Sequence, residues 1–263
     1  MTPDDSGLAE RYEAGRELTL RAGALAAEYA GRLSELDVRW KGAQDVVTEA
    51  DMEVELLIKR GLADFGADGF LGEETGAEGL ADAEGIWVVD PIDGTQPFVS
   101  AMPSWCVSIG YVHRGELQFG FVHNPPLDEL FEGGRGRPAL LNGRFVSPHP
   151  GTSLADGVVS VGYSSRIGPD DILPVLDRLL RQGGMFFRNG SAALSLCYVA
   201  CGRLLGYIEP HINSWDCLGA LAVIESAGGW SNYRLTDDTL LRGSRIVAGP
   251  PAVYADLDAV LGP

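Results

Sequence analysis

The sequence predicts an α/β protein of layered helices and sheets. Two segments of helical period precede a run of strand-length apolar segments in the first half, and strands alternate with helices in the second. At 263 residues, 45% hydrophobic and 22% charged, the chain can bury a sizeable core. Pro148, Pro150 and Gly151 cluster at a soft boundary, dividing an N-terminal α+β half, residues 1–147, from a C-terminal α/β half, residues 148–263.

Residues 7–36 carry Leu8, Tyr12, Leu18, Leu25 and Leu33 among alanines and charges, the pattern of an amphipathic helix. A second helix starts at Thr48, where Thr48-Glu49-Ala50-Asp51 reads as a capping box with Asp in place of Glu. Val54, Leu57, Ile58 and Leu62 form its apolar face. Strands are expected at 69–72, 86–90, 105–112 and 117–122, with turns at Arg114-Gly115-Glu116 and Asn142-Gly143. In the second half, strands are expected at 158–163, 185–188 and 204–209, and helices at 170–181, 191–200 and 215–227.

A formal net charge of −17 argues against nonspecific binding to nucleic acid or anionic membrane. It would also repel an anionic substrate unless cations sat in the site. Cys106, Cys197, Cys201 and Cys217 form no Cys-x-x-Cys pair and no zinc-ligand spacing, so reduced, buried thiols are expected. No signal pattern and no apolar run of spanning length is evident, so a cytoplasmic protein is expected.

The chemistry centres on Ile86-Trp87-Val88-Val89-Asp90-Pro91-Ile92-Asp93-Gly94-Thr95. Four apolar residues read as a buried strand, and Asp-Pro-Ile-Asp-Gly as the turn that ends it. Such a turn can aim Asp90, Asp93 and the Thr95 hydroxyl into one small volume, a set of hard oxygen donors suited to Mg²⁺. Further acids fall at element ends: Asp45 with Asp51, Glu73 with Glu74, and Asp216 after Trp215. Singly, each reads as an acidic loop or as a first-turn acid facing a helix dipole. Carboxylates delivered by several segments are also how a protein assembles a two-metal site for in-line phosphoryl transfer.

The order Asp45-Val46-Val47-Thr48-Glu49-Ala50-Asp51, Gly72-Glu73-Glu74, Trp87 to Thr95 and Ser214-Trp215-Asp216 resembles the inositol monophosphatase family. The resemblance extends to Gly190-Ser191-Ala192-Ala193-Leu194, Gly206-Tyr207-Ile208-Glu209 and Glu225-Ser226-Ala227-Gly228-Gly229. It implies a layered αβαβα sandwich of the inositol monophosphatase and fructose-1,6-bisphosphatase type. It further implies two or three Mg²⁺ ions per site, lithium sensitivity and a homodimer. Positions matching Glu73, Asp90, the Ile92 carbonyl and Thr95 would hold the first ion, and Asp90, Asp93 and Asp216 the second. The match to Asp51 pairs with the Thr95 hydroxyl and, with Glu73, helps activate the attacking water. Amides at Gly94 and Thr95 would face phosphate oxygens, while Asp93, Ser191, Ala192 and Glu209 fall in substrate-contact segments. The implied activity is hydrolysis of a small polyol or sugar monophosphate, inositol monophosphate first and histidinol phosphate as the alternative. A non-catalytic interaction protein on the same scaffold is the reading of another class.

The chain departs from the family directly after the metal motif. Gly94-Thr95-Gln96-Pro97-Phe98 matches neither the Gly-Thr-Thr-Asn-Phe of inositol-preferring members nor the Gly-Thr-Lys-Ser-Phe of histidinol-phosphate-preferring ones. Lys41-Gly42 before Asp45 is more like the inositol branch. Among the histidines, His113, His123 and His149 are expected in surface or loop roles, while His211, between Glu209 and Asp216, could line the pocket mouth. Arg188 is a candidate for phosphate or a substrate acid, or a surface arginine.

Overall fold

The computed structural model describes residues 3–33, 38–42, 45–81 and 83–262, without side chains for 3–6 and 38–47. The side chains of Lys41 and Asp45 therefore lie outside what is described.

Helix α1 (Pro3–Ala30) leads into a hairpin of β1 (Val38–Gly42) and β2 (Asp45–Thr48), then α2 (Glu49–Gly61). The Thr48 capping box forms as expected: its hydroxyl accepts the Ala50 amide at 3.1 Å, and its amide donates to Asp51 Oδ2 at 2.8 Å. An eight-stranded sheet follows, built from β3 (Gly69–Gly72), β4 (Gly76–Glu78), β5 (Gly85–Asp93), β6 (Cys106–His113), β7 (Glu116–Asn124), β8 (Glu129–Gly134), β9 (Arg137–Leu141) and β10 (Arg144–Phe145). Its order is β10-β9-β8-β7-β6-β5-β3-β4, with β3 parallel to β5 and the other pairs antiparallel. Short helix α3 (Thr95–Val99) joins β5 to β6.

The second sheet has five strands: β11 (Val158–Val161), β12 (Met185–Phe187), β13 (Gly206–Ile212), β14 (Trp230–Ser231) and β15 (Ser244–Gly249), ordered β12-β11-β13-β15-β14. Its helices are α4 (Pro169–Arg181), α5 (Ala192–Ala200), α6 (Leu218–Ser226), α7 (Asp237–Arg242) and α8 (Tyr254–Leu261).

Strand alternation sorts the core into three layers of side chains. Trp87, Val89, Ile109, Tyr111, Phe119 and Phe121 pack with Tyr12, Leu18, Val54 and Ile58 of α1 and α2. From the other face of the same sheet, Val88, Cys106, Val122 and Phe131 meet α5 and α6, which also cover Tyr207, Ile246 and Ala248 of the second sheet. Ile208 and Val247 point the opposite way, onto Val175 and Leu179 of α4 and Leu257 and Val260 of α8. The layers therefore run helix, sheet, helix, sheet, helix, the expected αβαβα sandwich. Among the described residues no helix is long and apolar enough to cross a membrane.

Several boundaries differ from the sequence reading. The first helix spans 3–30 rather than 7–36, β13 runs three residues past Glu209, and α6 begins at Leu218, so Asp216 precedes the helix. Strand β5 continues through Pro91 to Asp93 instead of turning at Asp90. The pairing skips between Asp90↔Ser108 and Asp93↔Cys106, a bulge that accommodates a proline unable to donate to a ladder. His123 is not a surface residue: it is buried on β7, where a Cβ on Gly23 of α1 would overlap its ring. His149 keeps its loop role, accepting the Gly151 amide at 3.0 Å. The four cysteines are free, with Cys201 half-buried and the others buried.

Helix α6 crosses the large sheet where glycine meets glycine. A Cβ on Gly120 would overlap the Gly219 carbonyl, and one on Gly110 would fall 3.1 Å from the Gly219 nitrogen. Gly120→Ala should therefore cost about 1–3 kcal/mol through overpacking, read as a lowered Tm and denaturant midpoint. A variant as stable as the wild type would mean that helix and sheet backbones are not in contact.

Candidate active site

Because β3 and β5 run parallel as neighbours, their C-terminal ends deliver Glu73 and the Asp90–Asp93 segment to the same edge. The Glu73 amide donates to the Val89 carbonyl at 3.2 Å, fixing the two segments together. Asp216 arrives from the other sheet, on the connection between β13 and α6. Glu73, Asp90 and Asp216 each offer a carboxylate oxygen, and these oxygens lie within 4.8 Å of one another.

The surroundings make this an expensive arrangement of charge. Burial, with the charges of Glu73, Asp93 and Asp216, pushes the Asp90 carboxyl well above its ordinary range. Asp93 is pushed up to about 7 by burial and the Asp216 charge, although it accepts several hydrogen bonds that oppose the rise. Burial raises Asp216 as well, against the guanidinium of Arg166, which donates to its Oδ2 at 3.2 Å. Hard oxygen donors, partly enclosed and short of positive charge, fit a divalent cation such as Mg²⁺.

Asp93 binds the two halves of the chain together at the start of α5. Its Oδ2 accepts the Ser191 hydroxyl at 2.6 Å and the Ala193 amide at 2.7 Å, and its Oδ1 accepts the Ala192 amide at 3.2 Å. These are donors that a helix N-terminus leaves free, and they favour a carboxylate. Ser191 is buried and caps the same helix by accepting the Leu194 amide at 3.2 Å. Its hydroxyl is thus turned toward Asp93, and Ala192 is half-buried beside it.

On the opposite side, Asp51 joins Thr95. The Thr95 hydroxyl lies 3.3 Å from Asp51 Oδ1 and 3.2 Å from the Ile92 carbonyl, while Thr48 donates to Asp51 Oδ2 from its hydroxyl at 2.7 Å. Burial pushes Asp51 up to about 6, and the two Thr48 bonds restrain the rise. Gly94 makes this approach possible. It adopts φ 95°, open to glycine, and a Cβ there would fall 2.9 Å from the Ser104 carbonyl.

Glu209 is buried rather than exposed at a strand end, and Tyr207 donates its hydroxyl to Glu209 Oε2 at 2.7 Å. Burial pushes its carboxyl up to about 8, and the Asp216 charge adds to the rise. His211 bonds the Arg242 carbonyl through Nε2 at 2.8 Å. Arg188 is exposed and donates to the Tyr163 carbonyl at 3.0 Å.

Two residues of this region escaped the sequence reading. Arg166 stands in a loop after β11 with no local motif around it. Glu55 is fully buried on α2, and its carboxylate accepts the amides of Glu74 at 2.9 Å and Thr75 at 2.7 Å. A signal for Glu55 existed: it lies one helical turn after Asp51, inside the stripe formed by Val54 and Ile58.

The model of the inositol monophosphatase family matches residues 8–258. The chain is 34% identical over 248 residues to the inositol-1-monophosphatase of Rhizobium meliloti, covering 93% of each. It is likewise 34% identical over 250 residues to the Nus factor SuhB of Pseudomonas aeruginosa, covering 92% of each. Among solved structures, the extragenic suppressor protein suhB of Bartonella henselae aligns with TM-score 0.87 at 30% identity, over 95% of this chain and 97% of that one. The inositol monophosphatase of Anabaena aligns with TM-score 0.84 at 29% identity, over 97% and 96%. With this coverage, and with the acids assembled at the ends of β3 and β5, the chain belongs to the inositol monophosphatase family.

Proposed function

We propose that the chain is a Mg²⁺-dependent phosphomonoesterase acting on a small polyol or sugar phosphate. The observation that carries this reading is the convergence of Glu73, Asp90 and Asp216 beside the Asp51–Thr95 pair. Glu73, Asp90, Asp93, Asp216, Thr95 and the Ile92 carbonyl would hold the metal ions. Bound there, Mg²⁺ would supply positive charge against phosphate oxygens and the leaving oxygen.

The chain's own groups position and move a proton. Thr95 directs its hydroxyl hydrogen to Asp51 and Ile92, which leaves an oxygen lone pair to accept from an attacking water. Asp51, at about 6, is ionised near neutrality yet basic enough to take the Thr95 proton as the water loses its own. The Gly94 and Thr95 amides face phosphate oxygens in this reading. Glu209, at about 8, stays largely protonated at pH 7 and can both donate to and accept from a substrate hydroxyl.

Relatives named Nus factor SuhB favour a second reading, an interaction protein on the same scaffold. A chain freed from catalysis could lose its acids. Here Glu73, Asp90, Asp93, Thr95 and Asp216 are all present, which supports the enzyme. Phosphate release should be measured over a panel of phosphomonoesters, inositol and histidinol phosphates included, with and without Mg²⁺. Metal-dependent turnover is expected, and Asp93→Asn should lower it by about 100-fold or more. Undiminished turnover in that variant would remove Asp93 from the site, and no turnover with a stable macromolecular partner would favour the second reading.

Acids raised above their unfolded values bind more protons in the folded chain, so stability falls as pH rises. For Asp93 and Glu209 the window runs from their ordinary values, 3.8 and 4.5, up to about 7 and about 8. Metal-free protein should accordingly lose several degrees of Tm between pH 5 and 8, at roughly 2–4 °C per kcal/mol. Millimolar Mg²⁺ should restore more at pH 8 than at pH 5. A flat profile with no metal effect would contradict the clustered, buried acids.

We also propose a homodimer, supported by the edge strand β12, where Met185, Phe186 and Phe187 are 60%, 46% and 40% exposed. Sedimentation should give a dimer mass that Phe186→Glu shifts to monomer; a monomeric wild type would refute it.

A further inference from the structure

We propose that Glu55 is a positioning residue that sets divalent-cation affinity by holding the turn that presents Glu73. This inference rests on the reading of Glu73, Asp90 and Asp216 as a metal site.

The turn between β3 and β4 is tight, with Gly72 paired to Gly76 and Gly76 at φ 74°. Its three intervening amides all have acceptors, and two of those acceptors belong to one side chain. Glu73 donates to the Val89 carbonyl, whereas Glu74 and Thr75 donate to Glu55 Oε2 and Oε1. A Cβ on Gly72 would fall 2.5 Å from Glu55 Oε2, so the carboxylate lies directly against the backbone preceding Glu73. Glu55 is 0% exposed and is absent from the group of acids whose oxygens converge. It therefore acts through the turn, not as a ligand.

The placement also couples two parts of the site. One helix, α2, carries Asp51, which meets Thr95, and one turn later Glu55, which fixes the Glu73 segment. Displacement of the turn moves a metal-binding carboxylate relative to the Asp51–Thr95 pair. Groups that orient ligands in this way commonly control metal affinity by about 10–100-fold.

Glu55→Gln keeps the shape but replaces one acceptor oxygen with an NH₂ that faces an amide donor. Mg²⁺ binding should be measured by calorimetry without substrate, alongside hydrogen exchange of the 73–75 amides and Mg²⁺-dependent turnover. About tenfold weaker binding, faster exchange at 73–75, and turnover recovered at saturating Mg²⁺ are expected. A purely structural role would lower Tm and leave the metal affinity of the folded protein unchanged, and that result overturns the proposal. If Glu55→Gln fails to fold, Glu55→Asp, which keeps the charge and withdraws it by one methylene, carries the same outcomes. Absence of Mg²⁺ binding to the wild type would instead remove the metal reading, and this inference with it.

Discussion

Carboxylates held side by side away from water repel one another, and the remainder of this structure is organised around tolerating that repulsion. Two unit charges about 4 Å apart cost roughly 4 kcal/mol at an effective dielectric of 20, against about 1 kcal/mol gained from an ordinary hydrogen bond. The Arg166 contact with Asp216 and the donors gathered at Asp93 offset part of this, yet Asp90 and Asp93 are still pushed far up. Without a cation the remaining relief is protonation. With one, in the reading proposed above, the same acids would be ionised ligands, and the cluster would link pH, metal and stability.

The scaffold holds the acids by backbone rather than by side-chain packing. Glu73 rides a hairpin bonded to β5 and α2, Asp93 is seated on the first amides of α5, and Asp216 accepts the Asn213 amide at 3.2 Å. Helices α5 and α6 are shared between the two sheets. Their insertion needs close approach, which explains glycine at 110, 120 and 219 where backbone meets backbone. The site lies where elements of both halves meet, and the precision of that junction follows from these contacts.

What the sequence made legible was local. Thr48 and Asp51 announced a capping box, Arg114-Gly115 and Asn142-Gly143 announced turns, and each occurs, with left-handed φ from 49° to 74° at those four turn positions. The αβαβα layering and the convergence of distant acids rested on resemblance, since no periodicity states which strands become neighbours. Proline at 91 concealed the continuation of β5, because a bulge, which depends on the partner strand, reads as a turn in isolation. Strands β8 to β10, interrupted by the glycines of β8 and by charges and a proline, gave no clean alternation, and the elements after residue 229 carried no motif. Glu55 was hidden by its type: a glutamate on a helix reads as solvent-facing until its acceptors are known to be needed by a neighbouring turn.

The departure at Gln96-Pro97 acquires a physical meaning from the same logic. Pro97 is buried, and a Cβ on Gly190 would fall 2.7 Å from its Cγ, so α3 presses on the segment leading to Ser191. That segment is tied elsewhere as well: Ser104 donates to the Asn189 carbonyl at 2.8 Å, and Ser195 donates to the Asn189 side chain at 2.8 Å. Gly190, at φ 90°, has the backbone freedom this contact demands. Meanwhile the Gln96 amide nitrogen is buried with no hydrogen-bond partner among the described residues, a donor whose desolvation costs about 1–3 kcal/mol unless something accepts from it. Substitutions at 96 and 97 would thus reach the residues around Asp93 through packing, which separates them from the acids themselves. The acids at the end of β5 and the contact that α3 makes with the segment before Ser191 are thus set by neighbouring residues of the chain, Asp90 and Asp93 for the first and Pro97 for the second.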